Sequence, residues 1–442
     1  MTRYPLIRHG HLDAVIAYRG EQAISAREFL RDVMALAKLL PAHRHVVNLC
    51  RDRYRFAVGL AAALSREQVS LLPPNDLPAV LEQLAMDFVD LYWLVDGAAP
   101  AAFIPTLAYP ERLTGDTPAA IPAFAGGQTA AFLFTSGSTG RPKPQKRSWG
   151  AMVRSALAAG DRLGVALLGG ATITGTVPHQ HSYGLESTVM LALQHGLALQ
   201  SEHPFYPGDV CACLAAHPRP RILVTTPIHI RALLAEKADL PPADLVVSAT
   251  APLSAELAAE AEAHFGAPLK EIYGCSEAGQ LAVRRTSRSL EWHALDGVTL
   301  RQDARGTWAS GESVETETLL NDVIELTGLG RFLLHGRVAD LVNIAGKRTS
   351  LAHLNHQLNS IAGVRDGVFV MPTEQANAVT RLSAYVVAPG ITVDAILAAL
   401  RQRIDAAFLP RPLILVDSLP RNAVGKLPRD AVGQLAPPQS AS

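Results

Sequence analysis

Residues Ala130 to Phe134 form an apolar run that reads as a buried strand. Directly behind it come Thr135, Ser136, Gly137, Ser138, Thr139 and Gly140, closed by Pro142 and Lys143. The glycines let backbone N–H groups turn inward around an anion. The hydroxyls add donors, and Lys143 adds a positive charge. This is the chemistry of a phosphate cradle. It is not the nucleotide loop in which four residues separate the glycines and Lys-Ser/Thr follows, because only two residues lie between Gly137 and Gly140 and Lys143 comes three later. A Gly/Ser/Thr cluster also fits an ordinary surface turn. The position after an apolar strand, with a lysine at its end, favours phosphate.

Three further motifs lie downstream: Tyr273-Gly-Cys-Ser-Glu277, Gly336-Arg-Val-Ala-Asp340 with Gly346 after it, and Gly425-Lys426. In this order, with Thr135 to Lys143 first, they resemble the signatures of the adenylate-forming superfamily, which includes acyl- and aryl-CoA synthetases, peptide-synthetase adenylation domains and luciferases. The resemblance covers most of the chain. It implies an ATP-dependent ligase that converts a carboxylic acid, aromatic or medium acyl, to acyl-AMP and passes the acyl group to a pantetheine thiol. That thiol belongs to coenzyme A or to an acyl carrier protein, as in small ligases of aryl polyene-type pathways.

The resemblance also assigns roles. Thr135, Ser136, Gly137, Ser138, Thr139, Gly140 and Lys143 hold the β- and γ-phosphates of ATP, and Glu277 holds Mg²⁺ beside Ser276. Tyr273 faces the adenine, with Gly274 and Cys275 following it. Ala249, Thr250 and Ala251 stand where the family's opposite wall carries two glycines. Asp322 and Arg337 match contacts to the ribose. His181 borders the acyl pocket and the thiol path, either shaping them or acting as a base, while Tyr183, Thr226, Ser248 and Gly274 line the pocket. Gly346 matches the glycine of the pantetheine tunnel. Lys426 matches the catalytic lysine, whose flexible charge offsets the repulsion of two oxyanions as they approach. Ala339 stands where the family's hinge has Asp or Lys.

A chain of 442 residues, 48% of them hydrophobic, exceeds one compact core. Forty basic residues balance forty acidic ones, which disfavours nucleic acid or an anionic membrane as the main partner. The cysteines Cys50, Cys211, Cys213 and Cys275 lack the partners of a zinc site and read as reduced, buried thiols. No run is long enough for a membrane span, and a cytoplasmic protein is expected.

The elements that must position these residues follow from period and punctuation. Residues 14–18, 46–50 and 69–72 read as strands. Ser25 and Glu28 make a capping box for a helix to Leu40, and a second helix covers 54–64. Residues 97–127 are rich in Pro and Gly and read as loop. A helix is expected from Ser148 to Ala159, its N-terminus near the anion. Beyond it, strands at 171–177, 221–226, 244–249 and 269–273 alternate with helices at 184–195, 227–237 and 254–265, the pattern of a layered α/β fold with parallel strands. In such a sheet ligands sit at the carboxyl ends of the strands. Short strands over 280–334 resemble the family's small β subdomain. The fold class is therefore α/β: a large N-terminal domain, 1–337, of layered sheets with a small β subdomain, and a small mobile α+β domain, 338–442, that acts as a lid. The latter carries ten Lys/Arg and seven Asp/Glu, which suits either acidic thiol carrier. Two other readings stay open, a stand-alone amino-acid adenylation enzyme and a non-catalytic adenylate-binding relic. The first would need an acidic residue for the substrate amine, and the segment after His181 offers Glu186.

Overall fold

The computed structural model describes residues 2–100, 104–135, 143–236, 240–337, 341–344, 347–371 and 381–421. The expected positions Ser136, Gly137, Ser138, Thr139, Gly140, Ala339, Gly346 and Lys426 lie outside the described residues.

Two sheets run through the large N-terminal part. In the six-stranded sheet, Lys143–Ser148, Thr129–Thr135, Val69–Leu72, His45–Asn48, Leu91–Val95 and Thr106–Ala108 lie side by side in that order. The eleven-stranded sheet has a parallel centre, Leu269–Cys275, Leu245–Ser248, Arg221–Thr225, Thr172–Gly175, Ala198–Gln200 and Val15–Arg19. Adjacent strand residues face opposite ways, so each sheet feeds two cores. Val46 and Leu72 pack into the central core and Val47 and Leu71 into an outer one with Leu81 and Leu84. Ile222 and Val247 face the same central core, and Leu223 and Val246 face a second outer core with Leu233, Leu257 and Phe265. The result is helix, sheet, helix, sheet, helix, as the alternating pattern implied.

The helices obey the same logic. Ala26–Leu39 starts at Ser25 with the full reciprocal capping box to Glu28. Arg53–Ser65 is buried on every side from Tyr54 to Leu64 apart from Arg55, because it lies between the two sheets and has no solvent face to keep polar.

Four features depart from the sequence reading. Val15–Arg19, with Gln22–Ser25 as its antiparallel partner, joins the eleven-stranded sheet through Ala198–Gln200, whereas the strands read at 46–50 and 69–72 build the other sheet. The strand Lys143–Ser148 intervenes between the cradle and the helix Trp149–Leu163. The helix expected over 184–195 is broken, with a π-helical stretch, Leu185–Met190, between short α segments. Residues 97–127 contain the short strands Thr106–Ala108 and Ala123–Ala125. Of the cysteines, Cys50 is buried while Cys211, Cys213 and Cys275 are partly exposed, and all four are unpaired.

Antiparallel strands Gly279–Arg284, Trp292–Ala294, Arg331–Arg337 and Asp322–Gly328 extend the large sheet, and Val298–Asp303, Gly306–Gly311 and Thr318–Leu319 form a small sheet beside them. Beyond residue 340, helices Leu351–Asn359 and Val393–Arg401 pack on the strands Asp366–Val370, Ser383–Val387 and Leu413–Leu415 around a core of their own.

The join between the sheets is polar. Arg53 is fully buried, and its guanidinium donates to the carbonyls of Gln200, Glu202 and Gly175 at 2.7, 2.9 and 2.9 Å, and to that of Val177 at 3.4 Å. These carbonyls lie where the strands Thr172–Gly175 and Ala198–Gln200 end. Arg53→Met would strand them without donors, and a loss of about 3 kcal/mol or more in unfolding free energy is expected, read by urea denaturation. A loss below about 1 kcal/mol would mean that the carbonyls find other partners.

Candidate active site

The cradle begins and ends on a hairpin. Thr135 and Lys143 are cross-strand partners, so the loop between them closes the antiparallel pair, with Lys143 exposed at its mouth. The helix start expected near the anion is elsewhere. Ser148 pairs with Thr129, six residues down the hairpin from Thr135, which at about 3.3 Å per residue is roughly 20 Å away. The dipole of Trp149–Leu163 therefore does not serve the loop. Its first turn is capped by Ser148, which accepts from Ala151 N at 3.3 Å, and Ser148 N itself donates to the Glu315 carboxylate.

The other candidate residues gather at the carboxyl ends of the parallel strands. Ser248 ends its strand opposite Thr225, is fully buried, and its hydroxyl has no hydrogen-bond partner among the described residues. Ala249, Thr250 and Ala251 follow directly. Thr250 has φ +79°, the left-handed region that glycine occupies without strain, so the backbone keeps a glycine's conformation where the side chain is β-branched. Tyr183 shares its hydroxyl proton between the carbonyls of Thr225 and Val247, each at 3.0 Å. Thr226 caps the helix Pro227–Ala235, and its hydroxyl lies 3.1 Å from His229 Nδ1, which also meets Thr176 Oγ1 at 3.0 Å. His181 precedes the helical turn Ser182–Gly184, where its carbonyl accepts from Leu185 N.

The neighbouring His179 has a different role. Its Nε2 meets the Cys50 carbonyl at 2.9 Å and so carries the proton, and its ring packs on Phe56. Burial, with the Arg53 charge added, holds it well below its ordinary 6.5. It is a neutral structural histidine. Glu186, the one acid available to an amino-acid substrate, is also buried, and its carboxylate accepts from Ser182 Oγ at 2.7 Å, Ser155 Oγ at 3.2 Å and Gln280 N at 3.2 Å. A carboxylate occupied this way is not offered to a substrate amine.

Tyr273 and Asp322, assigned separately to base and ribose, touch each other: the phenol donates to Asp322 Oδ2 at 2.7 Å. The Tyr273 ring packs against Trp292 and Phe332, each 5.6 Å away. Asp322 pairs in register with Arg337, so one end of that hairpin brings the two expected ribose contacts together in the backbone. Gly274 is dictated by close approach, since a Cβ there would lie 2.3 Å from the Gly279 carbonyl. Cys275 ends the strand, and Ser276, Glu277 and Ala278 make the turn. Burial, with the Glu277 carboxylate beside it, pushes the Cys275 thiol up to about 11, so it stays protonated. The turn is tied to the cradle's hairpin by Arg147, which sequence reasoning missed: it donates to the carbonyls of Ser276 at 2.5 Å and Glu277 at 3.3 Å.

Among the described residues no three His, Cys, Asp or Glu side chains cluster as a metal cage. A half-buried Glu277 on a turn tied to the hairpin suits the other mode, in which a single carboxylate would hold a Mg²⁺ together with a nucleotide's phosphates. The donor set fits a metal brought in with a nucleotide.

An acidic turn at the carboxyl end of a parallel strand, tied by Arg147 to the hairpin of Thr129–Thr135 and Lys143–Ser148, marks a site suited to a nucleotide-dependent enzyme. Residues 40–300 match the family described as AMP-binding enzyme, and the chain belongs to that family. A 4-coumarate–CoA ligase of Rhodobacter capsulatus is 29% identical over 305 residues, 68% of this chain and 75% of that protein. The fold is shared with ATP-bound MatB from Rhodopseudomonas palustris, with a TM-score of 0.81 at 19% identity, covering 97% of this chain and 96% of that one. It is shared equally with o-succinylbenzoate CoA synthetase from Bacillus subtilis, solved with its acyl-adenylate, at a TM-score of 0.81 and 17% identity over 98% of each chain. No helix among the described residues is long and apolar enough to cross a membrane.

Two outcomes test this geometry. Gly274→Ala should lower the melting temperature and weaken MgATP binding together, because the new Cβ forces the Ser276–Glu277 turn off the neighbouring strand. A variant with parent-like values for both would show that the strands can separate freely there. The second concerns pH. His179 and His9, the latter lowered by burial to about 4, are neutral in the folded protein, whereas unfolded histidines take up protons below about 6.5. The unfolded state then binds more protons, so stability is complete above that pH and falls as pH drops toward 4. His179→Gln should flatten this fall in melting temperature.

Proposed function

We propose that the enzyme activates an aromatic or medium acyl carboxylic acid with ATP and transfers it to the thiol of coenzyme A. In the first step a carboxylate oxygen attacks the α-phosphorus, the bond to the pyrophosphate oxygen breaks, and acyl-AMP forms. In the second the thiol sulfur attacks the acyl carbon, the bond to AMP breaks, and the thiol proton passes to solvent. The observation that carries this reading is the tie between hairpin and acidic turn: Arg147, on the edge strand of the six-stranded sheet, holds the Ser276–Glu277 turn of the eleven-stranded one, so the two segments suited to phosphate and metal meet where the sheets adjoin.

Thr135 and Lys143, with the loop between them, take the β- and γ-phosphates. Glu277 would hold a Mg²⁺, which would supply charge neutralisation at the phosphates. Tyr273, Gly274, Cys275 and Ala249 to Ala251 border the base, and Asp322 with Arg337 the ribose. His181, Tyr183, Thr226 and Ser248 border the acid. Residues 338–442 are the lid that brings Lys426 to the reacting oxygens and Gly346 to the thiol path, against a main domain of 1–337. An aromatic acid is favoured because the relatives include ligases for 4-coumarate and o-succinylbenzoate, and a setting in the cytoplasm supplies ATP and CoA.

Acid-dependent exchange of pyrophosphate into ATP over a panel of aryl, fatty and amino acids should give its strongest signal with an aryl acid. Product thioester is then sought with CoA and with a phosphopantetheinylated carrier protein in parallel. Exchange with amino acids alone, or with none of the panel, would refute the reading. Within it, Lys426→Ala should cut exchange by about two orders of magnitude, the cost of one charge contact in a closed site. Thioester formation from supplied acyl-AMP should survive. Equal loss of both steps would remove Lys426 from the adenylation chemistry.

A further inference from the structure

Arg147 has no part in the assignments above, yet it is 4% exposed and reaches from the edge strand Lys143–Ser148 to the backbone of the acidic turn. We propose that Arg147, charge-balanced by Glu186, is the positioning residue that fixes the Ser276–Glu277 turn so that the Glu277 carboxylate meets a nucleotide-bound metal. The proposal rests on the ligase reading.

Three observations carry it. The first is the fork. Two nitrogens of one planar guanidinium take two successive carbonyls, Ser276 and Glu277, and so hold the Glu277 side chain through its own backbone. A lysine presents one ammonium on a flexible stem and cannot reproduce that planar pair of bonds. The second is the counter-charge. A Cβ built on Gly279 would lie 3.6 Å from Glu186 Oε2 and 3.7 Å from Arg147 Nη2, so the acid and the base flank the same glycine, whose φ is +83°. A Cβ there would make only ordinary contacts with both, and it is the backbone φ that asks for glycine. The third is that Glu186 is itself fixed from three elements. Ser182 lies one turn before it, Ser155 belongs to the helix Trp149–Leu163, and Gln280 N follows the acidic turn. Gln280 also donates through Nε2 to Ser187 at 2.8 Å. Successive residues of the π-helical stretch thus hold the strand that leaves the turn, and Arg147 holds the turn itself.

The physical consequence is orientation settled in advance. A single carboxylate on a free turn would lose conformational entropy each time a metal bound. On a turn whose carbonyls are already tied, that cost is met on folding. The effect acts through Glu277, so it is distinguishable from a general loss of stability.

The test uses the full chain, with Arg147→Met and Arg147→Lys made alone and with Glu277→Gln. Affinities for MgATP and for ATP in EDTA are measured by calorimetry, and Mn²⁺ bound with ATP is followed by electron paramagnetic resonance. Arg147→Met should weaken MgATP and MnATP binding about tenfold, the low end for a residue that orients a metal ligand. Metal-free ATP affinity and the KM for the acid should be unchanged, and Arg147→Lys should recover part of the loss. In the Glu277→Gln background Arg147→Met should cost less than about twofold, since the group it positions is already gone. If Arg147→Met does not fold, Glu186→Gln, which removes the counter-charge and keeps the shape, should show the same metal-selective loss in smaller degree. Equal losses in both backgrounds, equal losses with and without metal, or a lowered melting temperature alone would overturn the proposal. A parent protein that binds no MgATP would overturn the ligase reading first, whereas one that binds it normally in every Arg147 and Glu186 variant would overturn only this inference.

Discussion

One buried guanidinium holds the two halves of the main fold in register. Arg53 starts a helix packed between the sheets, and its donors end on carbonyls of two strands of the larger one. A charge removed from water this completely is costly, and burial lowers its pKa to about 10, which still leaves it protonated at neutral pH. Its location is what makes the arrangement consequential. Strand ends lack the continuing ladder that satisfies carbonyls elsewhere, and the ligand side of an open parallel sheet is made of strand ends. By taking the carbonyls of Gly175 and Val177, Arg53 fixes the chain leading to Pro178. The same charge helps keep His179 neutral, leaving its Nε2–H for Cys50. His181, two residues later, inherits its position from this sequence of contacts.

The arrangement distributes positive charge sparingly. The chain as a whole is neutral, and a site for a nucleotide and a carboxylic acid must still hold several negative charges together. Backbone donors, a metal carried by the nucleotide and a lysine outside the main domain can do so without building a permanently basic cleft. Such a cleft would bind unrelated anions and would also favour the bound substrates as strongly as the transition state. Charges that assemble only with ligand, such as a nucleotide-borne metal, avoid that. The buried arginines conform to this economy: Arg53 and Arg147 spend their donors on backbone carbonyls.

The sequence was most legible where chemistry requires unusual residues or where apolar runs are uninterrupted. The parallel strands of both sheets are buried on both faces, so they appear as continuous apolar segments, and Val69–Leu72 matches its expected limits. Ser25 and Glu28 announce the first long helix because their side chains perform the cap themselves. The strand Lys143–Ser148 gave no such signal. It lies at the edge of its sheet, paired among the described residues with Thr129–Thr135, and its buried residues, Arg147 and Ser148, are polar, so Lys-Pro-Gln-Lys-Arg-Ser shows no apolar period. Missing it moved the following helix to the wrong end of the hairpin. The π-helical stretch was invisible for another reason: one additional residue per turn barely changes a period read over twelve residues. Arg147 was missed because its function depends on what lies 129 residues away, and nothing local distinguishes it from Lys146.

The segment Ser248 to Ala251 shows a departure from the family pattern becoming a structural statement. Two glycines at residues 249 and 250 would leave the wall open and its backbone free. Here Thr250 holds a left-handed conformation at a cost of order 1–3 kcal/mol, which persists only where the surroundings fix it. They do so from both sides. Before it, Ser248 is paired to Thr225, and Tyr183 ties the strand ends together through the carbonyls of Thr225 and Val247. After it, Pro252 restricts the residue it follows. A segment held this way is less able to yield than one with two glycines. It also carries the buried, unpartnered Ser248 hydroxyl. The strain at Thr250 is therefore a local property held from both sides, which is how a chain can replace two glycines with Ala and Thr and still keep the backbone turn that glycine would adopt freely.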